Sequence, residues 1–275
     1  MQKSRNFVSI SGITNCFQVR NIALFKSQEK IPSLVTVGYQ VSNKSINQGI
    51  QNPRQPAFSE LVDLASYAYR EGIVSSFHYY TKDNETIISD LEKLAKSGVT
   101  KFYPLLQFNT LPPSVDILKK TKELGFKTIL KVNVSNKKTG GYAVWKQEDT
   151  QDASSGNVDV LLNQVMERYK FIHYVMFDPS HGTNLPLDFS ENSLAVRFGK
   201  GIKEDPELNS LGLVYAGGIG PDNVGQVART LNSYFPDGVS IDIESKVRTS
   251  DDKLDSNLVR EYLINCGNAL KNDKK

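Results

Sequence analysis

The densest run of residue types able to do chemistry begins where the apolar stretch Leu211-Gly212-Leu213-Val214-Tyr215 gives way to Ala216-Gly217-Gly218-Ile219-Gly220 and then to Pro221-Asp222-Asn223-Val224. This order reads as strand, tight turn and helix. Paired glycines let a backbone approach a ligand closely. Pro221 has the fixed φ that suits a first helical turn, and the N–H groups at a helix start attract anions, phosphate above all. Gly217 and Gly218 are also open to a plainer reading, a strand-to-helix turn and nothing more. The chain's two cysteines, Cys16 and Cys266, have no Cys or His partner at ligand spacing, so neither zinc nor a disulfide scaffold is expected. Each reads as a half-buried thiol, and no metal or cofactor is expected.

Charge narrows the partners. Lys and Arg number 33 against 30 Asp and Glu, a net charge of +3 that gives no warrant for nucleic acid or a membrane surface. Small anionic metabolites remain. No run approaches the roughly 20 apolar residues of a membrane span. Ser9, Ser11, Gly12 and Asn15 interrupt the N-terminal run before a signal-type apolar region forms, so a cytoplasmic location is expected. The oligomeric state is not legible.

The elements that must position the glycine turn recur along the chain. Phe7-Val8-Ser9-Ile10-Ser11 alternates and stops at Gly12, a first strand ending on Ser11, with Thr14 or Asn15 capping the helix behind it. Residues 34–39 form a second strand. A polar segment, 41–57, follows as a long loop, and then a helical pattern of Leu61, Leu64, Ala65 and Ala68 ends near Gly72. Residues 73–80, 101–107 and 127–134 make the third, fourth and fifth strands, with helix stop signals at Gly98 and Gly125 between them. Residues 172–177 are the sixth, running into Asp178. The glycine-turn strand is the seventh, residues 238–243 the eighth, and a last helix covers about 254–270.

Eight strands alternating with eight helices predict a parallel sheet. Eight repeats without a second core predict its closure into a single (β/α)8 TIM barrel spanning 1–275. An open doubly wound sheet is the runner-up, disfavoured because Ser11-Gly12-Ile13-Thr14 lacks the G-x-G-x-x-G fingerprint. In a closed barrel the C-terminal strand ends carry the site, and the seventh and eighth units habitually bind phosphate. Residues 135–156 lack apolar periodicity, and a loop of that length is either functional or disordered. With Gly140-Gly141 as hinges and Tyr142 and Trp145 as contacts, it is a candidate lid.

The strand ends resemble those of the phosphoribosylanthranilate isomerase family, (β/α)8 enzymes of tryptophan biosynthesis. The family's first strand ends like K-x-C-G-I-T, and Ser9-Ile10-Ser11-Gly12-Ile13-Thr14 keeps Gly-Ile-Thr while replacing Lys and Cys. Asn52-Pro53-Arg54 matches an S-P-R-like motif. Asp178 and the later Gly182-Thr183 and Asp188 match the sixth-strand end and its loop. The seventh motif, A-G-G-L-x-P-x-N-V, is met almost fully by residues 216–224. At the eighth, Asp242, Ser245, Val247 and Thr249 match a D-V-S-S-G-V-E-T-like end, with Lys246 where the family has Gly.

This resemblance implies an Amadori rearrangement of an aminated ribose 5-phosphate, in which an acid protonates the ring oxygen and a base takes the C2′ proton. Asp178 would be the acid, a role that calls for a carboxyl kept protonated by desolvation. Ser11 stands at the position of the base. An alcohol is a poor base without a neighbour to take its proton, and the sequence offers only His181 or Cys16. Isomerase activity is therefore expected to be slow or absent. Gly217, Gly218, Ser245 and Lys246 would hold the phosphate, and Arg54 would face the anthranilate carboxylate. Two readings follow: a barrel that binds a small phosphorylated, sugar-type metabolite, or a non-catalytic barrel serving binding or assembly.

Overall fold

Alternation within each strand and 3.6-residue periodicity within each helix close the chain into one barrel. The structure is a computed structural model, and it describes residues 6–31, 33–50, 52–109, 113–133, 158–179 and 188–271. The candidate lid, 135–156, lies outside these residues, as do His181 and Gly182-Thr183. Eight parallel strands follow one another around the barrel in sequence order: β1 (Phe7–Ser11), β2 (Leu34–Ser42), β3 (Val74–Tyr80), β4 (Leu105–Phe108), β5 (Lys127–Asn133), β6 (Tyr174–Asp178), β7 (Gly212–Ala216) and β8 (Ser240–Ile243), with β8 pairing back onto β1. The expected (β/α)8 architecture is the observed one.

The described helices are α1 (Cys16–Gln28), α2 (Asn43–Gln48), α3 (Leu61–Arg70), α4 (Ile87–Lys96), α5 (Val115–Glu123), α6 (Val158–Met166), α7 (Leu194–Glu204), α8 (Val224–Tyr234) and α9 (Ser256–Lys271). Asn15 caps α1 by accepting a hydrogen bond from the Gln18 amide. The fourth strand begins at Leu105 and not at 101, because Val99–Phe102 form a 3-10 turn, and two further boundaries differ from the expectation for local reasons. The polar segment after β2 is not all loop, because Ser42 and Ser45 form a reciprocal capping box that starts the short helix α2. Pro221 is not in a first helical turn. The Asn223 side chain accepts from the Gly220 amide and donates to the Gly218 carbonyl, which holds 218–223 as a turn and delays α8 to Val224.

Burial follows the two periodicities. On α3, Leu61, Leu64, Ala65 and Ala68 are buried, and on α8, Val224, Val227, Ala228 and Leu231. These meet the outward strand residues, such as Val8 and Ile10 of β1 and Val35, Val37 and Tyr39 of β2, in the layer between sheet and helices. A separate cluster fills the lower barrel: Phe7, Leu105, Ile129, Tyr174, Met176, Val214 and Ala216, with Phe7 and Tyr174 edge to face at 5.2 Å. Each such aliphatic or ring side chain contributes roughly 1.5–3 kcal/mol of burial. Above it the inward positions turn polar, and Ser9, Ser11, Thr36, Ser76, His78, Gln107, Asp178 and Asp242 are all buried. An interior that could have been closed with Val and Leu is polar chiefly at the end where the strands finish.

Candidate active site at the barrel mouth

A cavity of about 230 Å³ opens at that end, lined by Gln40, Arg54, His78, Gln107, Asn109, Lys131, Asp178, residues 216–219 and residues 242–246. It thus gathers six of the seven residues singled out from the sequence: Arg54, Asp178, Gly217, Gly218, Ser245 and Lys246. Ser11, the seventh, sits just beneath it. A larger cavity of about 420 Å³ lies between Lys203, Asn209, Tyr234 and Asp237 at the opposite face. Lys203 there is spent on the carbonyls of Asn209 and Leu211, and that face of such barrels serves stability. The mouth is the site with chemistry.

The Ser11 hydroxyl does find a partner, one that is neither Cys16 nor, among the described residues, a loop group. It donates to Asp242 Oδ1 at 2.7 Å, both residues being buried. Register explains the meeting, since β8 pairs with β1 and places Asp242 opposite Ser9, one inward step from Ser11. Burial raises the Asp242 pKa above the ordinary carboxylate value, and His78 together with hydrogen bonds from Ser9 and Ser11 pulls it back. His78, on β3, is buried, which lowers its pKa against the opposing pull of Asp242 and Glu244. Gly38 makes room for the cluster. A Cβ there would stand 2.9 Å from His78 Nε2 and closer still to Ser11 Oγ. Cys16 is exposed and near Asp63 and Glu60, outside the barrel.

Asp178 ends β6 inside the cavity, where Lys131 of β5 pairs with it, Nζ to Oδ2 at 2.6 Å. Both side chains are largely buried. The carboxyl that the resemblance casts as the acid thus stands in an ion pair with Lys131.

At the β7–β8 side Gly217 and Gly218 both have positive φ, 95° and 66°, which permits a turn that L side chains rarely adopt. This turn abuts the turn that follows β8, where Ser245 and Lys246 lie: a Cβ on Gly220 would stand 3.1 Å from Lys246 Cβ. A bare backbone turn, a hydroxyl and an exposed ammonium thus converge on one edge of the cavity.

Arg54 reaches the mouth with its charge already matched. Nη1 meets Glu244 Oε1 at 2.9 Å, Nη2 meets Asp252 Oδ1 at 2.8 Å, and Nε also donates to Asp252. These partners raise the Arg54 pKa and hold Asp252 below the usual carboxylate range. Asp252 is itself fixed by Arg248, whose Nη1 donates to the Asp252 carbonyl and Nη2 to the Gly12 carbonyl, each at 2.6 Å.

Sequence reasoning passed over His78, Gln107, Lys131 and Glu244 as site residues. A period-2 count would have found the first three, because each shares the inward phase of its strand. Asp242 was in view as a motif match but without a role. Among the described residues no cluster of ligating side chains fits a metal ion, and no helix is long and apolar enough to cross a membrane.

No protein-family model and no curated protein matches the sequence. Solved structures do match in shape. Phosphoribosyl anthranilate isomerase from Thermus thermophilus aligns over 98% of this chain and 99% of its own at 11% identity and a TM-score of 0.57. A phosphoribosyl anthranilate isomerase in complex with reduced 1-(o-carboxyphenylamino)-1-deoxyribulose 5-phosphate aligns over 96% and 99% at 16% identity and 0.58. The spore coat polysaccharide biosynthesis protein spsE of Bacillus subtilis aligns over 97% of this chain and 68% of its own at 10% identity and 0.52. At such identities the likeness is one of fold: this chain closes into a barrel like that of the phosphoribosyl anthranilate isomerases.

Proposed function

We propose that the barrel mouth binds a small phosphorylated, sugar-type metabolite and moves a proton on it, as an isomerase does. One observation carries the reading: a single cavity joins a glycine turn, Ser245 and Lys246 at one edge to two carboxylates in different environments, Asp178 and Asp242. A phosphate accepts from the turn, the Ser245 hydroxyl and the Lys246 ammonium. A barrel of similar fold holds a phosphorylated deoxyribulose derivative, which supports the ligand class.

In this reading Asp242, not Ser11, is the base. Its carboxylate accepts the substrate carbon's proton while the Ser11 hydroxyl holds it in place, and a pKa raised by burial makes it a stronger proton acceptor than an exposed aspartate. Lys131, steadied by Asp178, donates a proton to the developing oxyanion. His78, whose pKa burial lowers, lines the cavity beside them.

The second reading is a binding-only barrel. It is favoured by the completeness of the internal pairs, Ser11 with Asp242 and Lys131 with Asp178, which satisfy one another without a substrate. One experiment separates the two. Incubated in deuterium oxide with ribulose 5-phosphate, a protein that abstracts a proton washes deuterium into the sugar carbon beside the carbonyl, and Asp242→Asn abolishes the exchange. Binding without exchange supports the second reading. No phosphate-dependent rise in melting temperature contradicts both, and Gly218→Val, which forces a branched side chain into positive φ, should cancel any rise seen.

A further inference from the structure

Across the barrel from the β7–β8 edge stand β3 and β4, because the strands follow one another in order around the closed sheet. A ligand anchored by its phosphate at Gly217 and Lys246 therefore extends towards His78 and Gln107, with Gln40 and Asn109 beside them. This wall is polar and uncharged. Gln107 is 3% exposed, its Nε2 donates to Asn109 Oδ1 at 2.8 Å, and its Oε1 is buried without a partner among the described residues. A buried acceptor without a partner, on a residue that lines the cavity, calls for a ligand donor.

Arg54, which reaches the mouth between the ends of β2 and β8, is a cation suited to an anionic group, and it is engaged. It meets Glu244 and Asp252 together, and Glu244 also accepts from Gln40 Nε2 at 2.5 Å. A carboxylate arriving there would find both guanidiniums already paired, Arg54 with Glu244 and Asp252 and Arg248 with Asp252, and would gain no counter-ion while facing two carboxylates.

We propose that the end of the ligand opposite its phosphate is a neutral, polyhydroxylated carbon chain, so that the site selects plain sugar phosphates and rejects those bearing a carboxylated aryl group. This rests on the reading of the mouth as a phosphate site and adds the substrate's other half. A sugar hydroxyl donates to Gln107 Oε1 and accepts from neighbouring amides, and the Arg54–Glu244–Asp252 group acts as a closed gate against acids. Sugar phosphate should gain about tenfold or more over inorganic phosphate, the worth of one well-made buried hydrogen bond.

The test is calorimetric titration with inorganic phosphate, ribulose 5-phosphate and a 1-(o-carboxyphenylamino)-1-deoxyribulose 5-phosphate, on the native chain and three variants. Ribulose 5-phosphate is expected to bind at least tenfold tighter than inorganic phosphate. Gln107→Met should erase that advantage and leave inorganic phosphate unaffected. Should that variant fail to fold, Gln40→Met alters the same wall. The carboxyphenyl compound should bind the native chain more weakly than ribulose 5-phosphate and recover at least tenfold in the Glu244→Gln, Asp252→Asn double variant. A native preference for the carboxyphenyl compound overturns the proposal. So does ribulose 5-phosphate binding no better than inorganic phosphate, which would leave the phosphate site standing. If inorganic phosphate and both sugar phosphates all fail to bind, the phosphate reading falls and this proposal falls with it.

Discussion

Removing the Ser11 hydroxyl should destabilise the protein by an amount that grows with pH. Ser11→Ala deletes the 2.7 Å bond to a buried carboxylate and replaces it with a methyl group that cannot donate. Above the Asp242 pKa the lost partner is charged, and the cost is about 1.5–3 kcal/mol. Below it the lost bond joins two neutral groups and is worth about 0.5–1.5 kcal/mol. The sign follows from burial. The folded pKa of Asp242 lies above its ordinary value, so its contribution to stability is complete at low pH and is lost as pH rises through the folded pKa. The serine bond opposes that shift, and removing it deepens the loss. His78 and Glu244, the other titratable groups acting on Asp242, remain in both proteins. Urea denaturation of both proteins at the acid and alkaline ends of a pH series reads the difference, and at the higher pH the melting temperature should fall by roughly 3–12 °C. Equal losses at the two pH values, or a loss under about 0.5 kcal/mol at both, would show that Ser11 does not support a charged Asp242.

The other expectations are shorter. Lys131→Met takes its ion-pair partner from the largely buried Asp178 carboxylate, a loss of about 3 kcal/mol; adding Asp178→Leu should restore most of it, and a double variant no more stable than the single would refute the pairing. Gly38→Ala drives a methyl into Ser11 and His78 and should lose about 1–3 kcal/mol by overpacking, together with any substrate proton exchange; a neutral effect on melting temperature would contradict the crowding. His173 is held neutral by burial and by Lys127 and Lys122, its pKa lowered to about 4, with Nδ1 accepting from the Thr128 amide. Because the folded pKa is depressed, its contribution to stability is present above about 6.5 and is lost as pH falls towards about 4. His173→Gln should flatten that acid limb, and proton NMR of the ring should show no titration at pH 6.5.

The barrel was legible because its evidence is periodic. β1 alternates Val8 and Ile10 outward with Ser9 and Ser11 inward, and α3 repeats Leu61, Leu64, Ala65 and Ala68 at helical spacing, so strand and helix identity follow from local pattern. The phosphate edge was legible too, since Gly217-Gly218 and Ser245-Lys246 each lie within one short motif. What the sequence hid were contacts made across the ring. The Ser11 hydroxyl and Asp242 are 231 positions apart, and only closure of β8 on β1 makes them neighbours. Lys131 and Asp178 meet because β5 and β6 pair in register. Arg54 lies in the polar segment 41–57, and its two carboxylates lie 190 and 198 positions along the chain. Pairings of that kind depend on strand register and loop packing, which periodicity leaves open.

The central claim, that the mouth is a phosphate-anchored site, is tested most directly by a crystal structure of the protein soaked in ribulose 5-phosphate. The expected density places the phosphate against the Gly217-Gly218 turn, Ser245 and Lys246, with the carbon chain running over Asp242 towards Gln107. Density for the sugar phosphate at any other place, or an empty mouth at a concentration that fills a solution binding site, would contradict it.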